Sequence, residues 1–432
     1  MQDYYNSKIN YFFDHLFIFV LVIYTGSATT FVRSLNSWGN LIAFGIPILF
    51  ATIIFIKKNL SLNTKILYII IGFTLYFIAS TLKFREIHPR FFSNTIISFL
   101  LTFIMLKSFG KTYFFIYENI ITFLTVISLF FWILLQIDPM YLASTLKKIS
   151  FSEPGSDNVL YNIIIYTVND LNVMQNYVIH IGKLSLIRNA GFAWEPGAYA
   201  VLIDLAIYIN LIRTKFNFKH NFKLLILIFG LFSTLSTTGH SILLLLILFS
   251  LYNKHTKYLI AFSPALIIIT LLLFNLPFMK QKIVSLTEYN TEELVLKSAQ
   301  FGYKYDPQRF ESFLIDWKDF INNPVIGYGG HTDAQWTKKM GANIGSISGI
   351  GKIFARYGIV GVFFFFYSLI MSSKMHSELF NFKGWLFPTL MILMISISYS
   401  LIEHPVFMCF WLSIYFLNTE QNSNIYTKKD FK

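Results

Sequence analysis

The stretch that decides the fold is Phe114–Gln136, which reads FFIYENIITFLTVISLFFWILLQ. Glu118 is the only charged residue in it. A helix of this length rises about 34 Å, which is enough to cross the roughly 30 Å hydrocarbon core of a bilayer. Because so long an apolar run is stable only in lipid or deep inside a protein, it predicts a transmembrane helix.

Runs of this kind recur along the whole chain of 432 residues, of which 55% are hydrophobic and only 13% charged. Soluble proteins carry about 25% charged residues, and so small a share cannot cover a large water-exposed surface. We therefore predict an all-α protein, a polytopic helical bundle that forms a single transmembrane domain over residues 1–432. About twelve spans are predicted, at Phe12–Thr30, Asn40–Ile56, Ile66–Leu82, Phe91–Leu106, Phe114–Gln136, Pro196–Ile212, Phe222–Leu235, Ser241–Tyr252, Tyr258–Leu276, Tyr357–Ser372, Trp385–Ile402 and Pro405–Leu417.

Basic residues are distributed unevenly between the two sides of this bundle. With the N-terminus inside, the inner segments hold 17 basic residues against 4 acidic ones, and the outer segments hold 18 against 15. Basic residues gather on the cytoplasmic side of membrane proteins, so both termini are predicted to be cytoplasmic. The net charge of +13 is then a topology signal, and we expect membrane lipids but no nucleic acid as partners.

Two outer segments are long, residues 137–195 and residues 277–356, whereas the inner loops are short. Long structured loops commonly carry function, so the chemistry is predicted on the outer side of the membrane. A carrier would instead concentrate its polar groups at the bilayer midplane. The larger segment is predicted to contain short amphipathic helices, and the single cysteine, Cys409, excludes an intrachain disulfide.

The first polar motif is Arg188–Gly197, with the sequence RNAGFAWEPG, at the outer mouth of the sixth span. Pro196 suits the first position of a helix, and Glu195 then stands at the N-cap. A helix N-terminus beside an arginine is suited to a phosphate or diphosphate, and Gly191 lets a ligand approach the backbone. The alternative is an ordinary capped helix whose Arg188 meets lipid headgroups.

The second motif is Asp306–Ile321 in the larger outer segment, with the sequence DPQRFESFLIDWKDFI. Asp306 can cap a helix that Pro307 starts, and its apolar residues recur at helical spacing. This helix is predicted to lie on the bundle or on the membrane interface. Arg309 falls in the first turn, where a cation is mildly unfavourable unless an anion joins it.

The third motif, Asn322–His331, follows directly and reads NNPVIGYGGH, a helix stop and a glycine-rich turn. His331 can act as a general acid or base, or hold a diphosphate oxygen. The alternative is a solvated loop histidine without a role.

Three acidic residues fall within predicted spans, where a carboxylate costs roughly 2.5–3.5 kcal/mol at a helix centre. Asp14 and Glu118 lie near span ends, whereas Asp204 lies deeper and is predicted to pair with Arg188 or to line a substrate groove. The nine histidines are scattered, and neither Asp-x-Asp nor His-Glu-x-x-His occurs. No metal is therefore predicted.

In their order along the chain, these motifs resemble a known family. The pattern consists of Arg188-x-x-Gly191-x-x-x-Glu195-Pro196, a large outer segment, Asn323-Pro324-x-x-Gly327-x-Gly329, and Gly358-Ile359-Val360-Gly361. It resembles the O-antigen polymerase and O-antigen ligase superfamily, the Wzy-type and WaaL-type membrane glycosyltransferases. The likeness covers about Arg188 to Gly361, and the hydropathy profile extends it to the whole chain.

The resemblance implies a glycosyltransferase of the bacterial inner (cytoplasmic) membrane that needs no metal, nucleotide or other cofactor. Its donor and acceptor would be undecaprenyl-diphosphate-linked oligosaccharides, and a chain-length regulator and a flippase would be partners. In such enzymes arginines of the outer loops bind the diphosphate, which maps onto Arg188 and Arg309. Glu195 and His331 would be the candidates for the base that activates the acceptor hydroxyl.

The chain departs from the family in one respect. Ligases often carry a His-Asn pair shortly before the last glycine motif, where this sequence reads Ser346-Ile347-Ser348-Gly349. This favours a polymerase of repeat units for O-antigen or capsular polysaccharide over an O-antigen ligase, with a lipid-linked oligosaccharide flippase as the remaining alternative. The candidate catalytic residues are Arg188, Glu195, Arg309 and His331, and the candidate substrate-binding residues are Gly191, Trp194, Asp204, Asn323, Gly327, Tyr328 and Gly329.

Overall fold

The computed structural model describes residues 12–26, 36–149, 160–169, 174, 178–181, 184–254, 291–302, 305 and 307–417. The predicted span Tyr258–Leu276 and both chain termini lie outside these residues. The elements, in chain order, are α1 Phe12–Gly26, α2 Asn36–Lys57, α3 Thr64–Phe84, α4 Pro89–Phe109, α5 Thr112–Ile137, α6 Pro139–Ile149, β1 Leu160–Asn162, β2 Thr167–Asn169, β3 Val178–Ile181, β4 Leu184–Ile187, α7 Pro196–Arg213, α8 Phe222–Thr234, α9 Thr237–Lys254, α10 Thr291–Phe301, α11 Arg309–Asn322, α12 Trp336–Lys339, α13 Gly349–Phe380, α14 Leu386–Ser398, α15 Pro405–Trp411 and α16 Ser413–Phe416.

The described chain is mostly helical, and its length and composition are those of a membrane protein. Five helices are long and apolar enough to cross a bilayer, namely α3, α4, α5, α7 and α13. Several shorter apolar helices accompany them, including α1, α8 and α14. The prediction of a helical membrane protein is confirmed at this level, and the count of twelve spans stays a prediction.

Helix boundaries follow the sequence signals closely. The predicted span Phe114–Gln136 lies within α5, and α7 begins at Pro196, with Glu195 at the N-cap in an extended conformation (φ −151°, ψ 155°). Proline favours this first position because its missing N–H has no partner within the helix. The last predicted span, by contrast, is divided into the short helices α15 and α16.

Segment 137–195, which was predicted to lie on the outer side, contains strands, so the prediction of an all-α chain was incomplete. β1 pairs antiparallel with β2, and β3 pairs antiparallel with β4. The first hairpin and α6 share a small apolar core with the end of α5, formed by Leu135, Leu142, Ala143, Leu146, Tyr161, Tyr166, Val168 and Met174. Strands of three or four residues are too short to give a periodic signal that separates them from loop.

The described residues fall into two compact units. Unit 1 draws on the described residues within Met1–Ser61, Leu101–Ile247 and Leu417–Lys432, and unit 2 on those within Leu62–Leu100 and Leu248–Phe416. In unit 1, α7 packs against α5 and α8, and all but one of its eighteen residues are buried. α7 is therefore the central helix of unit 1.

The two acids near span ends in unit 1 are both ion-paired. The Glu118 carboxylate accepts hydrogen bonds from Arg213 at 2.6 and 2.8 Å and from the amide of Asn210 at 2.7 Å. Asp14 accepts a hydrogen bond from Lys58 at 2.9 Å. Such pairing offsets the cost of placing a carboxylate at the edge of an apolar region.

Unit 2 is organised around α13, which packs against α11, α14 and α15. The helix is interrupted at Gly358, whose backbone is non-helical (φ 61°, ψ −161°). This break lies one residue after the predicted start of the tenth span at Tyr357. The part of α13 that precedes it carries polar groups toward α11.

The amphipathic helix α11 is oriented differently from a soluble surface helix. Its buried residues include Ser312, Asp316 and Asp319, whereas Phe310 is 50% and Ile321 59% exposed. The predicted helix is confirmed, but it begins at Arg309, and the predicted cap Asp306 lies outside the described residues. An outward apolar face suits a helix at a membrane interface, where lipid can cover it.

Candidate functional site

In unit 1, Arg188 contacts the C-terminal end of another helix. Its Nε donates a hydrogen bond to the carbonyl oxygen of Thr234, the last residue of α8, at 3.1 Å. The final carbonyls of a helix lack intrahelical partners and carry the negative end of its dipole, so a cation is favourable there. Arg188 is thus oriented by a backbone carbonyl at the end of α8.

The residue after Arg188 fixes the corner of the first motif. Asn189 is fully buried, and its amide donates to Ser128 Oγ at 2.7 Å and to Ser233 Oγ at 2.9 Å. Its Oδ1 accepts from the backbone N–H of Gly191 at 2.9 Å. Gly191 has φ +55°, and a Cβ there would stand 2.6 Å from the Tyr199 ring. A larger residue at this position would be strained.

The remaining predicted residues of unit 1 lie along the start of α7. Trp194 and Glu195 are half-buried, and the backbone N–H of Trp194 donates to the carbonyl oxygen of Gly26 at 3.1 Å. Asp204 is fully buried, and among the described residues its carboxylate oxygens have no hydrogen-bond partner. No hydrogen bond joins Asp204 to Arg188, whose Nε donates to Thr234, and the alternative that Asp204 lines a substrate groove stays a prediction.

In unit 2, Arg309 occupies a setting similar to that of Arg188. Its guanidinium donates to the carbonyl oxygen of Ser398, the last residue of α14, and to Tyr399 Oη at 2.6 Å. The guanidinium carbon also lies 3.9 Å from the centre of the Tyr399 ring, within cation–π distance. The C-terminal end of α14 thus offsets the unfavourable position of Arg309 at the start of α11.

Glu311 forms a capping interaction at the start of α11. The Glu311 carboxylate accepts from the backbone N–H of Gln308 at 2.7 Å and from Tyr305 Oη at 2.8 Å. A carboxylate in the first turn satisfies a backbone donor and suits the helix dipole.

The two glycine motifs of unit 2 are joined by backbone hydrogen bonds between residues 324–329 and residues 355–359, a contact that we call the seam. The N–H groups of Tyr328 and Gly329 donate to the carbonyls of Ala355 and Arg356 at 2.9 and 2.8 Å, and the N–H of Ile359 donates to the carbonyl of Pro324 at 2.8 Å. Glycines at positions 327 and 358 make this close approach feasible. A Cβ at Gly327 or Gly358 would stand 2.3–2.4 Å from backbone atoms of the opposite segment of the seam.

The seam also engages the other predicted substrate-binding residues of the turn. Asn323 is buried, and its Oδ1 accepts a hydrogen bond from Lys83 at 2.7 Å. Tyr328 is 2% exposed. The turn therefore uses its motif residues for contacts within unit 2.

His331 is buried and contacts protein groups through both ring nitrogens. Its Nε2 lies 2.8 Å from the carbonyl oxygen of Glu86, and its Nδ1 lies 3.1 Å from that of Tyr328. Proton transfer to a substrate through this imidazole requires one of these contacts to open.

Sequence reasoning missed an acidic pair on the buried face of α11. Asp316 and Asp319 are each 1% exposed. Burial raises the pKa of Asp316 to about 7, while a hydrogen bond from Ser346 (2.5 Å) and the charge of Lys352 act in the opposite direction. Burial likewise raises the pKa of Asp319 to about 6, against a hydrogen bond from the Trp336 N–H. Carboxyls that titrate near neutral pH are suited to proton transfer.

Cations from α13 accompany this acidic pair. Lys352 donates to Ser400 Oγ at 3.0 Å, and Arg356 donates to both carboxylate oxygens of Glu403 at 2.7 and 2.8 Å. Tyr357 also donates to Glu403, at 2.6 Å. The signal for this cluster was in the sequence, since Asp316 and Asp319, and Lys352 and Arg356, recur at the spacing of one helix face.

An apolar cavity of about 670 Å³ lies in unit 2, walled by α3, α4 and α13 and by residues near Glu403. Tyr76, Tyr357 and Glu403 are among its polar lining groups. Its volume is in the range of small-molecule binding sites, about 300–1,000 Å³. Glu403 links the cavity to the cations of α13 through its ion pair with Arg356.

No protein-family model, curated protein sequence or solved structure matches the chain.

Proposed function

We propose that this protein is a membrane glycosyltransferase that polymerises lipid-diphosphate-linked oligosaccharide repeat units into O-antigen or capsular polysaccharide. The reaction takes place on the outer face of the bacterial inner membrane. Undecaprenyl diphosphate is the proposed carrier of donor and acceptor, in keeping with the motif order from Arg188 to Gly361.

The observation that carries this proposal is the combination, within unit 2, of an apolar cavity with a half-buried charged cluster. A lipid-diphosphate substrate has an apolar tail and an anionic head. The 670 Å³ cavity offers space for part of the tail, and Arg356 and Lys352 supply positive charge beside Glu403. Few other substrate classes need both environments so close together.

The chemistry of transfer requires a base and a stabilised leaving group. The acceptor hydroxyl attacks the anomeric carbon of the donor, the bond to the diphosphate oxygen breaks, and the lipid diphosphate departs with the electron pair. A base takes the hydroxyl proton. Asp316 joins Glu195 and His331 as a candidate for this role, because its pKa near 7 lets it accept a proton at neutral pH.

Arg188 and Arg309 are the proposed contacts for diphosphate groups. Each is oriented by the last carbonyl of a neighbouring helix. Stabilising charge on a leaving diphosphate is the main electrostatic task of such an enzyme.

Replacing each arginine by alanine in the native strain tests this assignment. Surface polysaccharide is resolved by gel, and we expect Arg188→Ala and Arg309→Ala to leave single repeat units on the lipid core in place of a ladder. Arg90→Ala, an exposed arginine near the start of α4, is the matched control and keeps the ladder.

Each alternative function gives a different gel. Loss of a flippase leaves no repeat units at the surface, and loss of a ligase leaves chains that are never joined to the core. An unchanged ladder in both arginine variants would contradict the site assignment.

A further inference from the structure

Three potential metal ligands that are far apart in sequence meet in unit 2. Glu86 and His88 lie in the connection between α3 and α4, and His331 lies in the glycine-rich turn after α11. Their ligand atoms are all within 4.8 Å of one another. Two imidazoles and a carboxylate form a donor set that zinc uses in proteins.

The spacing of two of these atoms matches a tetrahedral site. His88 Nε2 lies 3.4 Å from Glu86 Oε2. Ligands held about 2.0–2.1 Å from a tetrahedral ion are separated by roughly 3.3 Å. The pair can therefore bind one ion with almost no movement, and the third ligand needs to move by about 1.5 Å at most.

His331 is oriented as metal-binding histidines usually are. Its ring is 3% exposed and stacks on Phe84 with 4.5 Å between ring centres. Its Nδ1 lies 3.1 Å from the carbonyl oxygen of Tyr328 and its Nε2 lies 2.8 Å from that of Glu86, so the nitrogen that binds an ion gives up its carbonyl contact while the N–H of the other keeps its own. A backbone carbonyl behind the ligand ring is the common support that fixes the tautomer in metal sites.

His88 has a buried polar atom that protein contacts leave unsatisfied. Its Nε2 is inaccessible to solvent and makes no hydrogen bond to any described residue. The His88 and His331 rings meet edge to face at 4.4 Å between centres. A shared cation would explain a buried nitrogen that lies 3.4 Å from a carboxylate and beside a second imidazole without hydrogen-bonding to either.

We propose that Glu86, His88 and His331 bind a divalent transition metal, with Zn²⁺ the preferred ion and water as its fourth ligand. The ion ties the glycine-rich turn to the connection between α3 and α4. This site does not depend on the proposed transfer reaction, but a metal-bound His331 cannot act as its base, which leaves Glu195 and Asp316 for that role. It departs from the expectation of no metal, which was based on sequence spacing, because His88 and His331 are 243 positions apart.

Zinc binding to the full-length protein in detergent tests the proposal. The protein is purified through a tag that lacks histidine, stripped with a chelator and dialysed. Zn²⁺ affinity is then measured by competition with a fluorescent chelator, bound metal is counted by mass spectrometry, and Co²⁺ absorption reports the geometry. We expect one Zn²⁺ per chain and the visible absorption of tetrahedral Co²⁺.

Variants separate this site from adventitious binding. His88→Ala and Glu86→Gln are expected to weaken Zn²⁺ binding at least about tenfold, because each removes a direct ligand. His180→Ala, which changes an exposed histidine in β3, leaves binding unchanged. His331→Ala is a third test, interpreted only if the variant folds.

Two results would overturn the proposal. One is the absence of saturable Zn²⁺ binding to the stripped wild type. The other is equal affinity of the wild type and His88→Ala, which would leave a protonated histidine paired with Glu86 as the explanation of the cluster.

Discussion

Arg188 in unit 1 and Arg309 in unit 2 occupy similar settings with different surroundings. Each guanidinium donates to the last carbonyl of a neighbouring helix, at Thr234 in one case and Ser398 in the other. Beside Arg188, the amide of Asn189 hydrogen-bonds to the hydroxyls of Ser128 and Ser233. In unit 2, the structure also holds the buried acid Asp316, the Arg356–Glu403 ion pair and the apolar cavity.

This difference indicates how the two motifs contribute. In both units the last carbonyl of a helix orients an arginine. Unit 2 also holds the carboxyls of Asp316 and Asp319, which can exchange a proton near neutral pH. We therefore propose that Arg188 contributes to binding, and that the surroundings of α11 and α13 contribute to both binding and chemistry.

Substitutions of glycine should show the largest difference in unfolding free energy between the first motif, in unit 1, and the seam, in unit 2. Gly327 and Gly358 have positive φ and meet backbone that cannot yield, whereas Gly191 meets the ring of Tyr199. We expect Gly327→Ala or Gly358→Ala to lower the unfolding free energy by about 3–5 kcal/mol, from backbone strain plus steric overlap, and Gly191→Ala by about 1–3 kcal/mol. Denaturant titration in detergent measures both.

Gly345→Ala is the control for these variants, since a Cβ there meets nothing within 4 Å. A change in the unfolding free energy below about 0.5 kcal/mol is expected for it. If Gly327→Ala behaved like this control, the seam would not be the source of stability that we describe.

The two arginine–glutamate pairs give the next contrast. The side chain of Glu118 in unit 1 is 1% exposed, and that of Glu403 in unit 2 is 27% exposed. Removing a charge from a buried pair leaves its partner uncompensated, so Glu118→Gln should cost about 2–4 kcal/mol and Glu403→Gln about 1–2 kcal/mol. Equal losses, or a similar loss in the exposed control Glu378→Gln, would contradict the difference in burial.

The acidic pair of α11 should make unit 2 sensitive to pH. The folded-state pKa of Asp316, about 7, lies above the ordinary value of about 3.9. The uncharged carboxyl therefore stabilises the fold fully below about pH 4, and this stability is lost as the pH rises through about 7. Between about pH 5.5 and about pH 8 the loss is about 2 kcal/mol.

Asp316→Asn tests this pH dependence directly, because an amide cannot ionise. Thermal unfolding of the wild type and the variant is compared at the two pH values. The wild type should lose more stability toward the higher pH than the variant does. Parallel behaviour of the two proteins would show that Asp316 titrates in its ordinary range.

The sequence predicted the helices of this chain well, because apolar runs and helix-start residues such as Pro196 act locally. It did not predict the hairpins of residues 160–187, whose strands are too short to show periodicity. For α11 the periodicity gave the two faces correctly but not which one is buried. In a membrane protein an apolar face such as that of Phe310 can turn toward lipid.

The candidate site was predictable only in part. Local motifs identified Arg188 and Arg309 as candidates, and both prove to be oriented by helix ends. The helices that supply the carbonyls of Thr234 and Ser398 are 46 and 89 positions away, so their role depends on tertiary packing. The Asp316 environment depends in the same way on Ser346 and on the buried face of α13.

The most direct measurement for the central claim is chain growth by the purified protein with lipid-diphosphate-linked repeat units as the only substrate. We expect a ladder of products, with one lipid diphosphate released for each unit added. Arg309→Ala should lower kcat/KM about 10²–10³-fold, as the loss of one group that stabilises transition-state charge does. Intact substrate after incubation with folded wild-type protein, and no released lipid diphosphate, would contradict the claim.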